Sequence, residues 1–142
     1  MVKRLLVTGG SGFVLSNVVY AWLESSEDTF AVVLDLPRAW DKHVREFFAP
    51  FQRSGRLRFQ PGSVTDPDIW ASLDQDFTHI VSGAALTPTP QDEVESAARI
   101  LEVNLFGTIR TLEFARNLPR GQLQRFVFGL CTSLRVFVFA GA

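Results

Sequence analysis

The residues with the clearest chemical signature are Thr8-Gly9-Gly10-Ser11-Gly12-Phe13-Val14-Leu15-Ser16, a glycine-spaced turn between a short apolar run and a helical pattern. Gly9 permits a tight turn and Gly12 lets the backbone approach a pyrophosphate, while the N–H groups opening the next helix supply partial positive charge. Asp35 ends the next apolar run, where a carboxylate accepts hydrogen bonds from ribose hydroxyls. Together these features describe a dinucleotide site. A plain glycine turn followed by an acidic strand end has the same spacing, and only the surrounding elements separate the two.

Two residues bear on how such a site would work. Leu15 stands where the pattern places its third glycine, whose role is close packing of helix on sheet. It shares a stripe with Val18, Val19 and Trp22 and is expected to point inward, with Gly83, Ala84 and Ala85 leaving room for it. Without that room, overpacking costs about 1–3 kcal/mol or pushes the helix outward, and dinucleotide affinity falls. Arg38 follows Asp35 by three positions. Arginine there pairs with a 2′-phosphate whereas Asp35 repels one, so NAD is the favoured cofactor and NADP the alternative.

The elements that must hold these residues alternate along the chain. Lys3 to Gly9, Thr29 to Leu36, Arg56 to Gly62, His79 to Leu86 and Arg125 to Leu130 read as five strands. Between them, Val14, Leu15, Val18, Val19 and Trp22 mark a first helix; Trp40, Val44, Phe47, Phe48 and Phe51 mark a second that Pro50 helps to end. Asp66 to Leu73 gives a short third helix. A long helix is expected from about Gln91 to Leu118, with Leu101, Leu105, Thr108, Leu112 and Ala115 along one side. This order predicts an α/β fold, a doubly wound parallel sheet of about five strands with helices on both faces.

The bulk properties narrow the function. The 142 residues are the size of one domain, and 46% hydrophobic with 20% charged residues fits a globular chain. Fourteen basic against fifteen acidic residues, net charge −1, leave no electrostatic footprint for nucleic acid or anionic lipid. No apolar run is long enough for a membrane span, since Arg135 interrupts the C-terminal one. The lone Cys131 forms no internal disulfide, and His43 and His79 stand apart from any metal-ligand cluster; a reducing, cytoplasmic setting is expected.

The arrangement resembles the extended branch of the short-chain dehydrogenase/reductase superfamily, the NAD-dependent epimerase/dehydratase family. The resemblance rests on residues 5–14 (LLVTGGSGFV), 32–36 (VVLDL), 62–66 (GSVTD), 82–88 (SGAALTP) and 103–108 (VNLFGT), in the family's order. It implies a Rossmann-like fold in which Phe13 and Val14 flank the pyrophosphate, Ser63 and Val64 border the adenine, and Ala84 and Ala85 line the cofactor with their backbone. Ser63 stands where the family usually has aspartate; it either hydrogen-bonds an adenine amino group or merely begins a turn. Asn104 resembles the family's active-site asparagine, the other reading being a solvated surface residue. Gly107, one turn on, suggests a helix pressed against a neighbour.

The pattern breaks after the fifth strand. The resemblance implies a Tyr acting as acid/base and a Lys four residues later, but the one tyrosine, Tyr20, is followed by Glu24, and the only lysines are Lys3 and Lys42. Thr132, with Ser133 beside it, falls near the family's catalytic hydroxyl, whereas Cys131 reads as a small buried hydrophobe. We therefore expect a dinucleotide-binding domain spanning 1–142, incomplete at its C-terminus from near Gly129, without the substrate domain. The resemblance implies the NAD-binding domain of an oxidoreductase or nucleotide-sugar epimerase/dehydratase acting on a secondary alcohol, without turnover by these residues alone. A non-catalytic redox sensor or interaction module and a ligand-free fragment are the alternatives. The apolar Val136, Phe137, Val138 and Phe139 are expected to be uncovered and to favour self-association.

Overall fold

The computed structural model describes residues 1–129, together with the backbone of 136–140. Five strands, β1 (Lys3–Thr8), β2 (Thr29–Asp35), β3 (Leu57–Pro61), β4 (His79–Ser82) and β5 (Arg125–Gly129), form a parallel sheet. A sixth, β6 (Val136–Ala140), which the sequence reading left without a strand, pairs antiparallel with β5, giving the order β3-β2-β1-β4-β5-β6. The chain reverses direction across the sheet between β1 and β4. Ligands of open parallel sheets bind at such a reversal, beyond the carboxyl ends of the strands.

Alternation along the strands builds two cores. Leu5, Val7, Ala31 and Val33 face one side with Val19, Leu23, Phe48 and Phe51. Leu6, Val32, Leu34 and Ile80 face the other with Trp70, Phe77, Phe114 and Leu118. Sheets buried on both faces need such continuous apolar runs, which is why these strands were legible.

The helices differ from their expected faces. In α1 (Phe13–Glu24) the fully buried residues are Val19 and Leu23, while Val14 and Val18 are exposed. The inward row is Leu15, Val19 and Leu23 at steps of four, so Val14 and Val18 fall outside it. α2 (Lys42–Arg53) is capped by Asp41, whose carboxylate accepts from Val44 N. Pro50 sits inside its last turn rather than ending it, and Trp40 lies before it, stacked on Phe59 at 4.3 Å. α3 (Pro67–Ser72) is where it was expected.

The long helix expected from Gln91 to Leu118 is broken. It consists of α4 (Pro90–Glu95), α5 (Ala97–Leu101), a π-helical turn (Glu102–Phe106) and α6 (Gly107–Asn117). Of the expected stripe only Ala115 is buried, beside Gly107, Thr111 and Phe114; Leu101, Leu105 and Leu112 are exposed. Each π-type bond spans one residue more than an α-type bond, so the turn rotates the inward face out of a simple 3.6-residue phase. No helix among the described residues is long and apolar enough to cross a membrane.

At the amino end of β4 the His79 ring lies 4.7 Å from Trp22 and its Nδ1 is 2.8 Å from Thr78 Oγ1. Burial, then the charges of Lys3 and Arg125, lowers its pKa. The folded state thus binds this proton less readily than the unfolded chain. The neutral ring's contribution is complete above the ordinary value of 6.5 and is lost as pH falls through the lowered one. Thermal unfolding should show wild-type Tm dropping more between about pH 7 and about pH 5 than the Tm of His79→Gln does.

Candidate functional site

The turn from β1 into α1 is held by backbone and by one carboxylate. Gly9 has φ +74°, and a Cβ there would sit 2.8 Å from Ala84 Cα, so only glycine fits on both counts. Gly9 N donates to Leu34 O at 2.9 Å and Gly12 N to Gly9 O at 3.1 Å. Ser11 N donates to Asp35 Oδ2 at 3.0 Å, and Leu36 N donates to Oδ1 at 2.8 Å. Asp35 therefore joins the turn to the end of β2. Each carboxylate oxygen keeps a lone pair for a further donor.

α1 begins without help from a side chain. Gly12 is its N-cap with no side-chain hydrogen bond, and the first turn carries no acidic residue. Ser16 N is the first to bond back, to Gly12 O at 2.8 Å, so the N–H groups of Phe13, Val14 and Leu15 lack an intrahelical acceptor. Ser11 Oγ is buried without a hydrogen-bond partner among the described residues. These donors and the positive end of α1 suit a bound anion.

The facing wall is the exit of β4. Thr8 Oγ1 accepts from Gly83 N at 3.0 Å and Ala84 N at 3.2 Å. Asn104, within the π turn, engages Leu86 at both ends of its amide: Oδ1 accepts from Leu86 N at 2.7 Å and Nδ2 donates to Leu86 O at 3.0 Å. Leu15 reaches across from α1, and a Cβ at Gly83 would overlap its Cδ1. The room expected for Leu15 is thus supplied by Gly83. Gly107 is likewise pressed against a neighbour, the buried Val64, whose Cγ2 would lie 2.5 Å from a Cβ at position 107.

Between these walls opens a cleft of about 500 Å³, within the size range of small-molecule sites. It gathers Gly9, Gly12, Phe13, Val14, Asp35, Ser63, Val64, Ala84 and Ala85 from four separate stretches of chain. Ser63 lines the cleft and also forms a turn, its Oγ lying 2.8 Å from Thr65 Oγ1 and accepting from Thr65 N, as its turn reading expects. Asn104 is half-buried and is not among the residues lining the cleft; it fixes the wall through Leu86. Arg38 lines an adjoining cavity of about 260 Å³ with Arg99. Tyr20 packs against Phe47 and Phe51 at 4.9 and 5.1 Å, in the core rather than at the cleft. Thr132, Cys131 and Ser133 lie outside the described residues.

Residues 5–134 match the NAD dependent epimerase/dehydratase family. The chain belongs to that family. Among curated relatives it is 33% identical over 114 residues to a dTDP-glucose 4,6-dehydratase of Mycolicibacterium smegmatis, covering 80% of this chain and 33% of the relative. It is 34% identical over 128 residues to a dTDP-glucose 4,6-dehydratase of Streptomyces niveus, covering 87% and 36%. The chain spans about a third of the length of these relatives. Its fold is that of the Bordetella bronchiseptica enzyme WbmF, solved in complex with NAD+: TM-score 0.69 at 22% identity, over 89% of this chain and 36% of that one. The cofactor expected from the glycine turn and Asp35 is thus the one the family's description carries.

Sequence reasoning missed Thr8 and Leu86. Thr8 is 1% exposed, and its signal was a hydroxyl ending an otherwise apolar strand, where a buried polar group must find partners. Leu86 had no signal, because its role lies in its backbone. Asn104→Ala would leave Leu86 N–H and C=O unpaired, costing about 1–3 kcal/mol in denaturant unfolding. The Leu86 amide should also exchange hydrogen faster.

Proposed function

We propose that residues 1–142 form the NAD-binding unit of an oxidoreductase that acts on a secondary alcohol of a nucleoside-diphosphate sugar. The observation that carries this reading is the Asp35–Ser11 hydrogen bond beside an uncapped helix start. It sets a ribose acceptor and a set of phosphate donors at one fixed spacing. Ser11 Oγ and the α1 N-terminus suit the diphosphate, Asp35 the adenosine ribose, and Ser63 and Val64 the adenine. Bound there, the nicotinamide supplies a hydride acceptor. The nucleotide-sugar class rests on the relatives, both dTDP-glucose 4,6-dehydratases.

Within this reading the 142 residues bind cofactor without turning substrate over. The sequence holds no Tyr with a Lys four residues later, and Tyr20 is committed to the core. That same observation favours a second reading, a dinucleotide-binding module without catalysis. Asp35 sets the preference for NAD: a 2′-phosphate beside it meets like charge, while Arg38 lies in the adjoining cavity rather than in the cleft. The lone Cys131 suits the cytoplasm. The apolar residues 136–139 form the edge strand, where unpaired backbone groups invite self-association.

Calorimetry with NAD+ and NADP+ tests the reading. NAD+ binds more tightly than NADP+, and Asp35→Ala weakens NAD+ about 10-fold or more, the loss of hydrogen bonds to a charged group. Incubation with NAD+ and dTDP-glucose leaves the sugar nucleotide unchanged by mass spectrometry, neither oxidised nor dehydrated. Absence of heat with either coenzyme overturns the binding reading, and turnover overturns the non-catalytic one.

A further inference from the structure

The third glycine expected in the turn has in effect moved across the cleft. Leu15 occupies its place on α1, and Gly83 on the exit of β4 is bare opposite it. The two residues line the same cleft. A Cβ at Gly83 would overlap Leu15 Cδ1, whereas Leu15 Cγ would stay 3.5 Å away, so only the end of the side chain occupies the space above Gly83.

The alternatives open to that side chain are few. On its core side Leu15 packs against the cluster that contains Val7, Val19 and Val33, all at 0% exposure. That side is filled: Gly10 already lies so close that a Cβ there would be 2.9 Å from Val33 Cγ1. A close-packed interior does not yield room for a displaced isobutyl group, and the cleft is the open direction.

We propose that Gly83 is a berth for Leu15, and that this berth keeps the Leu15 side chain out of the diphosphate end of the cleft. Leu15 and Gly83 are positioning residues: dinucleotide affinity depends on their combined size rather than on glycine at position 15. The inference rests on the NAD-binding reading above for its ligand, but the berth itself is a property of the free protein. A methyl group at position 83 turns Leu15 into the cleft, so binding is lost while the core is kept. Removing the isobutyl group at the same time clears the cleft again.

The test compares wild type, Gly83→Ala, Leu15→Ala and the double variant by NAD+ calorimetry and thermal unfolding. Gly83→Ala should unfold close to wild type yet bind NAD+ about 10-fold more weakly, the scale of a small overpacking term. Leu15→Ala should lose stability through lost burial. The double variant should return to within about 3-fold of wild-type affinity. A folded Gly83→Ala that binds like wild type, or a double variant as weak as Gly83→Ala, overturns the proposal. In the unliganded wild type, an NMR contact between a Leu15 methyl and the Gly83 Hα protons supports the berth and its absence overturns it, whether or not any variant folds. Wild type that shows this contact but binds no NAD+ overturns the cofactor reading alone.

Discussion

The hydrogen bond from Ser11 N to Asp35 Oδ2 is the constraint on which the site depends. It ties a turn that follows β1 to the last residue of β2, and those strands are already in register through Thr8 opposite Leu34. A turn of three glycines in five residues would otherwise be loose, because glycine gives up the most backbone freedom on ordering. With the carboxylate in place, the uncapped start of α1 and the ribose acceptor form one unit. The remaining lone pairs of Asp35 then lie a fixed distance from the free N–H groups of Phe13, Val14 and Leu15. This spacing, more than any single contact, suits a molecule carrying a ribose at one end of a diphosphate.

The opposite wall obeys a related rule: its backbone is secured by side chains from elsewhere in the fold. Thr8 satisfies Gly83 and Ala84, and Asn104 satisfies Leu86, so the exit of β4 stays ordered after its ladder with β1 ends at Ser82. The π turn matters because it carries Asn104. It also brings Gly107 against Val64, so the helix that fixes one wall packs on the residue that lines the other side of the cleft. Close contacts at Gly9, Gly83 and Gly107 show three places where two elements approach within the width of a methyl group.

Much of this was legible before any coordinates, for a local reason. Strands buried on both faces read as apolar runs, and the glycine turn and Asp35 announce themselves by type and position. What failed was periodicity wherever another constraint set the phase. Leu101, Leu105 and Leu112 follow a helical stripe, yet the π turn between α5 and α6 carries them to the surface. Val14 and Val18 belong to the apolar pattern of α1 but are exposed, Val14 at the cleft. β6 went unread because Val136 to Phe139 lack the polar alternation that would mark an edge strand. The partner of Asn104 was out of reach, since it is a main-chain group 18 residues away. Membership of the NAD dependent epimerase/dehydratase family does not alter these physical reasons. It says that a longer chain has been built on them elsewhere.

The most direct measurement is a titration of 15N-labelled protein with NAD+, followed through its backbone amides. The account predicts that Ser11, Gly12, Phe13, Val14 and Leu15 shift together with Leu36, because the turn, the helix start and Asp35 act as one unit around the diphosphate and ribose. Shifts confined to other parts of the surface, or a spectrum that does not change, would contradict it.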